Sequence, residues 1–147
     1  MNFVAAFQSD FLEDIIPLVE SQYRVQADRD HRAIAGLSMG GGQSLSIGLG
    51  HPELFGWVGG FSAAVFNPET TLAKVLDDPK ATNDRMHLLW IGCGKDDRLV
   101  ENARQLSDML KTKDIRHTLV VSEGAHSWPV WRIYLGQFLP LLFVDSK

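Results

Sequence analysis

At 147 residues the chain has room for one domain but not for two of comfortable size, and its 45% hydrophobic and 22% charged content is ordinary for a globular protein. A formal charge of −4, with 14 Lys and Arg against 18 Asp and Glu, gives no reason to expect nucleic acid or an anionic membrane as partner. The one cysteine, Cys93, excludes an internal disulfide and a cysteine-based metal cluster, and says nothing of the redox compartment.

In chain order, Met1 to Phe7 lack the basic start, apolar run and small-residue cleavage site of a signal peptide, which leaves secreted and cytoplasmic locations both open. Residues 10–22 place Phe11, Leu12, Ile15, Ile16 and Val19 on one helical face, with Asp10 and Glu13 positioned to cap it and Pro17 to kink it. Residues 32–36 read as a short buried strand and 39–49 as a helix ended near Gly50 and His51-Pro52. A second strand spans 57–61. Residues 67–85, with Asp77-Asp78-Pro79 and Thr82-Asn83-Asp84, read as a loop holding a short helix around 71–76. Residues 87–92 form a third strand. Leu99, Val100, Ala103, Leu106, Met109 and Leu110 then recur at helical spacing. A fourth strand covers 117–122, and a helix from about Pro129 closes the chain.

No run of about 18 apolar residues exists to span a bilayer. The apolar stretch 133–144 is interrupted by Gly136, Gln137 and Pro140, and reads as a buried terminal helix. With no repeat or linker, residues 1–147 are expected to form one unit. Apolar strands alternating with helices indicate an α/β fold, a parallel sheet of about four strands covered on both faces. Such a fold serves many reactions, so function must come from the site.

Gly36-Leu37-Ser38-Met39-Gly40 fits G-x-S-x-G, with Gly41 and Gly42 extending it. A serine on a tight strand-to-helix turn sits in strained backbone, so residues two positions away must be small. The helix that follows aims its N-terminal N–H groups at a reacting carbonyl. Such a serine needs a base, and the base needs an acid to fix its tautomer. Reacting groups gather at the carboxyl ends of parallel strands. Of five histidines, His31, His87 and His117 lie at or before strand starts and His51 follows a helix. His126, in Glu123-Gly124-Ala125-His126, alone follows a strand's carboxyl end. Asp96 and Asp97 both follow the third strand, and the reading of the residues does not choose between them; one of the pair is available to cap the next helix.

Gly36-Leu-Ser-Met-Gly-Gly, Cys93-Gly-Lys-Asp-Asp-Arg-Leu99 and Gly124-Ala-His-Ser-Trp-Pro-Val-Trp131 together resemble the esterase D and feruloyl esterase family of α/β-hydrolases, across essentially the whole chain. The resemblance implies Ser38 as nucleophile, His126 as base, and Asp97 as acid, because the family's acid lies two residues before the leucine of its Asp-x-Leu pattern. It implies the Met39 N–H as oxyanion donor, Trp128 as a border to an aromatic acyl group, and no cofactor. The expected substrates are hydroxycinnamoyl or acetyl esters of plant cell-wall polysaccharide.

Members of that family are usually longer, with several strands ahead of the first helix and an early His-Gly type loop that carries the second oxyanion donor. The expectation is therefore a partial α/β-hydrolase sheet lacking the family's N-terminal strands, and association with a second copy or another chain through the edge strand containing Ile34. An acyltransferase or a thioesterase on the same scaffold, and a truncated non-catalytic hydrolase module, are the alternative readings. Trp131 and Cys93 read as core residues. Ser62 ends a strand without flanking glycines and is set aside. No His, Cys or carboxylate cluster has metal-ligand spacing.

Overall fold

The computed structural model describes residues 3–144. Four parallel strands, β1 (Ala33–Leu37), β2 (Trp57–Phe61), β3 (Leu88–Gly94) and β4 (Thr118–Ser122), lie side by side in sequence order. The register pairs Leu37 with Phe61, Phe61 with Gly92 and Gly94 with Ser122, so the carboxyl ends of all four meet along one rim. Helix α3 (Met39–Gly50) joins β1 to β2, and α7 (Val100–Thr112) joins β3 to β4.

Alternation along the strands sorts side chains to two faces. Ile34, Val58, Leu89, Ile91 and Cys93 point to one, where Leu45 and Ile47 of α3 and Leu106 and Leu110 of α7 bury them. Phe61 and Trp90 point to the other, where α8 (Trp128–Phe138) covers them with Val130, Trp131, Tyr134 and Phe138. The expected four-stranded α/β-hydrolase sheet with helices on both faces is what forms. β1 lies at an edge. Its Ile34 side chain is nonetheless 9% exposed, so the free edge is one of backbone groups, with the apolar side chain tucked under α3.

Four local expectations need correction. The chain is already helical at α1 (Phe3–Ser9), so Asp10 and Glu13 do not cap a helix start. Residues Asp10–Ile15 form a wider π turn, with the Ile16 N–H donating to the Phe11 carbonyl, before α2 (Ile16–Gln22) continues. Pro17 has no N–H to give and its ring crowds the carbonyl four residues back; a widened turn just ahead relieves that crowding. The extra residue rotates the apolar stripe. Phe11, Leu12 and Ile16 pack on the core while Ile15 and Val19 are turned outward.

The 67–85 stretch is also more regular than its composition indicates. It holds α4 (Pro68–Thr71), α5 (Ala73–Asp77) and α6 (Pro79–Arg85). Asp78 accepts from the Ala81 N–H at 3.0 Å with Pro79 in the first turn, an N-cap signal readable from Asp-Pro alone. The terminal segment is buried on one face only. Ile133, Leu135, Leu139, Leu141 and Phe143 remain exposed. Among the described residues no helix is long and apolar enough to cross a membrane.

Candidate active site

Ser38 stands between β1 and α3 with φ 54° and ψ −120°, a conformation that a residue with a Cβ rarely adopts. Backbone hydrogen bonds hold it there. Its N–H donates to the Phe61 carbonyl at 2.8 Å, and its carbonyl accepts from Gly42 and Ala64, each at 3.1 Å. The glycine pattern around it has a steric cause that differs from the expected symmetry. A Cβ on Gly36 would sit 2.4 Å from the Gly40 carbonyl oxygen, whereas one on Gly40 would meet open space. Gly42 is the second crowded position, since a Cβ there would lie 2.2 Å from the Ala64 carbonyl oxygen. Met39 opens α3, so its N–H belongs to the first turn, where no carbonyl four residues back lies within the helix; its side chain is exposed.

The loop after β3 and the loop after β4 are tied together by backbone: Lys95 N–H to Ser122 carbonyl at 2.7 Å, Asp96 N–H to Gly124 carbonyl at 3.0 Å. That pairing carries His126 to Asp97. Nδ1 of His126 lies 2.9 Å from Asp97 Oδ2, and Nε2 lies 2.9 Å from Ser38 Oγ. An ionised carboxylate only accepts, so Nδ1 carries the proton and donates it to Asp97; Nε2 is left as the acceptor for the Ser38 hydroxyl. The His126 side chain is 23% exposed and that of Asp97 fully buried.

Burial alone would push the Asp97 carboxyl upward. The nearby Ser62 hydroxyl, with hydrogen bonds from the Leu99 N–H and His126, outweighs it, and the carboxyl is held below its ordinary 3.8. Asp96, by contrast, is exposed. The geometry thus separates two acids that spacing left equal. Asp97 also accepts the Leu99 N–H at 2.9 Å, so the residue facing His126 is the one that closes the turn before α7.

The other four histidines lie elsewhere. His31 pairs with Asp28, His87 with Asp30, His117 with Ser107, and His51 with Gln8 and Glu53. Trp128, expected beside the acyl group, is 65% exposed at the start of α8 and meets Trp131 edge-on. Cys93 is fully buried, and burial, with the Asp97 charge behind it, pushes its thiol up to about 11.

Ser62, which its flanking residues do not mark as functional, and the core residue Trp131 stand directly behind the site. Ser62, fully buried and at φ 46°, accepts from Trp131 Nε1 at 3.0 Å. The Trp131 ring meets the His126 ring edge-on, centroids 4.9 Å apart. The one signal in the chain was position: Ser62 follows β2 at the same rim as the other site residues.

The Esterase family model matches residues 4–142. An endo-1,4-beta-xylanase/feruloyl esterase of Xylanibacter ruminicola is 33% identical over 138 residues, covering 93% of this chain and 18% of the relative. An acetyl esterase of Caldicellulosiruptor saccharolyticus is 23% identical over 155 residues, covering 84% of this chain and 58% of its own length. The solved structure of a ferulic acid esterase superposes with a TM-score of 0.80 at 29% identity, covering 91% of this chain and 59% of that one. The chain therefore spans less than two thirds of the length of these similar proteins.

Proposed function

The chain belongs to the Esterase family, and from that premise we propose that it is a serine carboxylic-ester hydrolase in which Ser38, His126 and Asp97 do the chemistry. One observation carries the reading: a single imidazole bridges hydroxyl and carboxylate at 2.9 Å on either side. His126 Nε2 takes the Ser38 proton as Oγ bonds to the ester carbonyl carbon. Asp97, buried and ionised, holds the ring in that tautomer and stabilises the imidazolium. The Met39 N–H at the start of α3 supports the oxyanion, with the positive end of the helix behind it. Collapse of the tetrahedral adduct breaks the bond to the alcohol oxygen, which leaves with the proton from His126. Water then gives a proton to His126, attacks the acyl group on Ser38 and releases the acid, and the proton returns to Oγ.

We carry the substrate class over from the named relatives: feruloyl or acetyl esters of plant polysaccharide. Exposed Trp128, beside Trp131, offers a flat apolar surface to a hydroxycinnamoyl ring. Turnover of an aryl acetate and of methyl ferulate by the purified chain, lost on Ser38→Ala, tests this. Turnover that survives the substitution moves the nucleophile elsewhere.

The proposal extends to association. Among the described residues β1 has a strand neighbour on one side only, and its outer edge presents N–H and C=O groups. Beside it lies a groove of about 410 Å³, lined by Phe11, Ile15, Val19, Ala33, Leu142 and Phe143. A free strand edge next to an apolar groove favours pairing with a second copy of the chain.

A further inference from the structure

We infer that the cavity between the loop after β2 and helix α7 is a subsite for the sugar that carries the ester, recognised by Phe66, Asn67, Asn102 and Gln105. The inference rests on the hydrolase reading above and locates the alcohol side of its substrate. The cavity holds about 500 Å³, within the range of roughly 300–1,000 Å³ usual for small-molecule sites. Both of its walls start at the catalytic rim. The Ala64 N–H donates to the Ser38 carbonyl at 3.1 Å, and Phe66 follows two residues later. The Val100 N–H donates to the Asp97 carbonyl at 3.0 Å, and Asn102 follows two residues later.

Exposure picks out the same place. The four most exposed large apolar side chains among the described residues are Tyr23, Met39, Phe66 and Trp128, and the last three lie past the carboxyl ends of β1, β2 and β4. Phe66 is 69% exposed, yet its segment is fixed. Buried Val65 and Leu72 anchor the two ends, and the Phe66 carbonyl accepts the Thr71 hydroxyl at 3.0 Å. The Asn67 carbonyl accepts the Thr70 and Thr71 N–H groups, each at 3.0 Å, with Asn67 itself at φ 48°. A fixed turn that holds a phenyl ring in water gains no burial from it, so the exposure points to a ligand.

The lining chemistry selects that ligand. Asn67, Asn102 and Gln105 carry amides, each able to donate and accept at once, as a sugar hydroxyl does. The one charged residue of the lining is Glu69, so the cavity offers no cation to hold a phosphate or a carboxylate. An aromatic ring among amides suits a sugar, whose C–H face stacks on the ring while its hydroxyls meet the amides. The two flanks of the rim then divide the ester. Val65, Leu72 and Met109 belong to the core on the α3 and α7 face of the sheet, whereas Trp128 opens α8 on the other face. An ester carbonyl at Ser38 has its acyl group toward Trp128 and its sugar oxygen toward Phe66.

The test compares methyl ferulate with ferulate carried on a xylo-oligosaccharide. The parent chain should favour the sugar ester by about 10-fold or more in kcat/KM, because contacts remote from the reacting carbon contribute to the transition state. Phe66→Ala and Gln105→Ala, both at exposed positions, should each lower the ratio of the two kcat/KM values about 3- to 10-fold. Binding is read separately, from the side-chain amide resonances of Asn67, Asn102 and Gln105 on adding a xylo-oligosaccharide without an ester. They should shift in the parent, and less in Phe66→Ala. A ratio that neither variant moves, equal losses on the two esters, or amides that do not respond to the oligosaccharide would overturn the subsite. If Phe66→Ala does not fold, the ratio in Gln105→Ala decides. Failure of the hydrolase reading looks different: the parent turns over neither ester, while the oligosaccharide still shifts the amides.

Discussion

At the scale of single residues, two adjacent acids follow β3 and one of them faces the imidazole. Asp97 is buried and accepts His126 Nδ1–H, whereas Asp96 is exposed and contributes its backbone N–H to the Gly124 carbonyl. Asp97→Asn leaves the shape intact but offers an amide where the imidazole needs an acceptor, and the wrong tautomer then faces Ser38. The expected loss in kcat is up to about 10⁴-fold, against little change for Asp96→Asn. A larger loss for Asp96→Asn would reverse the assignment. The acid also links the site to stability. The folded chain holds Asp97 below its ordinary 3.8, so it binds that proton less tightly than the unfolded chain does. Its stabilising contribution is complete above that ordinary value and fades as pH falls through the lowered one.

At the scale of elements, the strands were legible because a parallel strand covered on both faces must be apolar along its whole length. Residues 57–61 and 88–94 are buried nearly throughout, and both were readable as strands from that alone. The Ser38 turn was legible for a related reason, since its strain leaves a mark in the neighbouring glycines. Ser62 left no such mark. Its strained backbone is flanked by Phe61 and Ala63, and its partner Trp131 lies far off in the chain; a hydrogen bond across that separation has no local signature. The helix Pro79–Arg85 is hidden by its polar composition, and the Asp78-Pro79 cap is its one mark in the sequence.

The glycine run at the start of α3 yields a prediction at this scale. Ala is the better helix former by about 1 kcal/mol, which by itself would stabilise either replacement. Gly42→Ala nevertheless puts a methyl 2.2 Å from the Ala64 carbonyl oxygen, a backbone atom that cannot rotate aside. Overpacking of this kind costs about 1–3 kcal/mol and outweighs the propensity gain. Gly40→Ala meets open space and keeps the gain. Thermal unfolding should show a lowered midpoint for Gly42→Ala and an unchanged or raised one for Gly40→Ala. Equal midpoints would show that the close pass of residues 63–64 over α3 does not constrain the fold.

For the whole molecule, the sheet brings three distant parts of the chain to one rim while leaving an edge of that sheet bare. Among the described residues β1 pairs with β2 on one side only, and the exposed Ile15, Val19 and Phe143 line a groove that reaches Ala33 of β1. Burying such a surface releases ordered water and satisfies the strand's open backbone groups together. Light scattering of the purified chain should report a mass above that of one copy, falling when a lysine replaces Ile15 or Val19. A monomer at every concentration tested would remove this part of the account.

The central claim is that Ser38 is made nucleophilic by its partners at the rim, and covalent trapping addresses it most directly. A fluorophosphonate leaves an ordinary serine untouched but phosphonylates one whose proton a base can take, with fluoride as the leaving group. Intact mass after incubation should show one adduct per chain, peptide mapping should place it on Ser38, and His126→Ala should slow its formation severely. An adduct on another residue, or unhindered labelling of Ser38→Ala, would contradict the account.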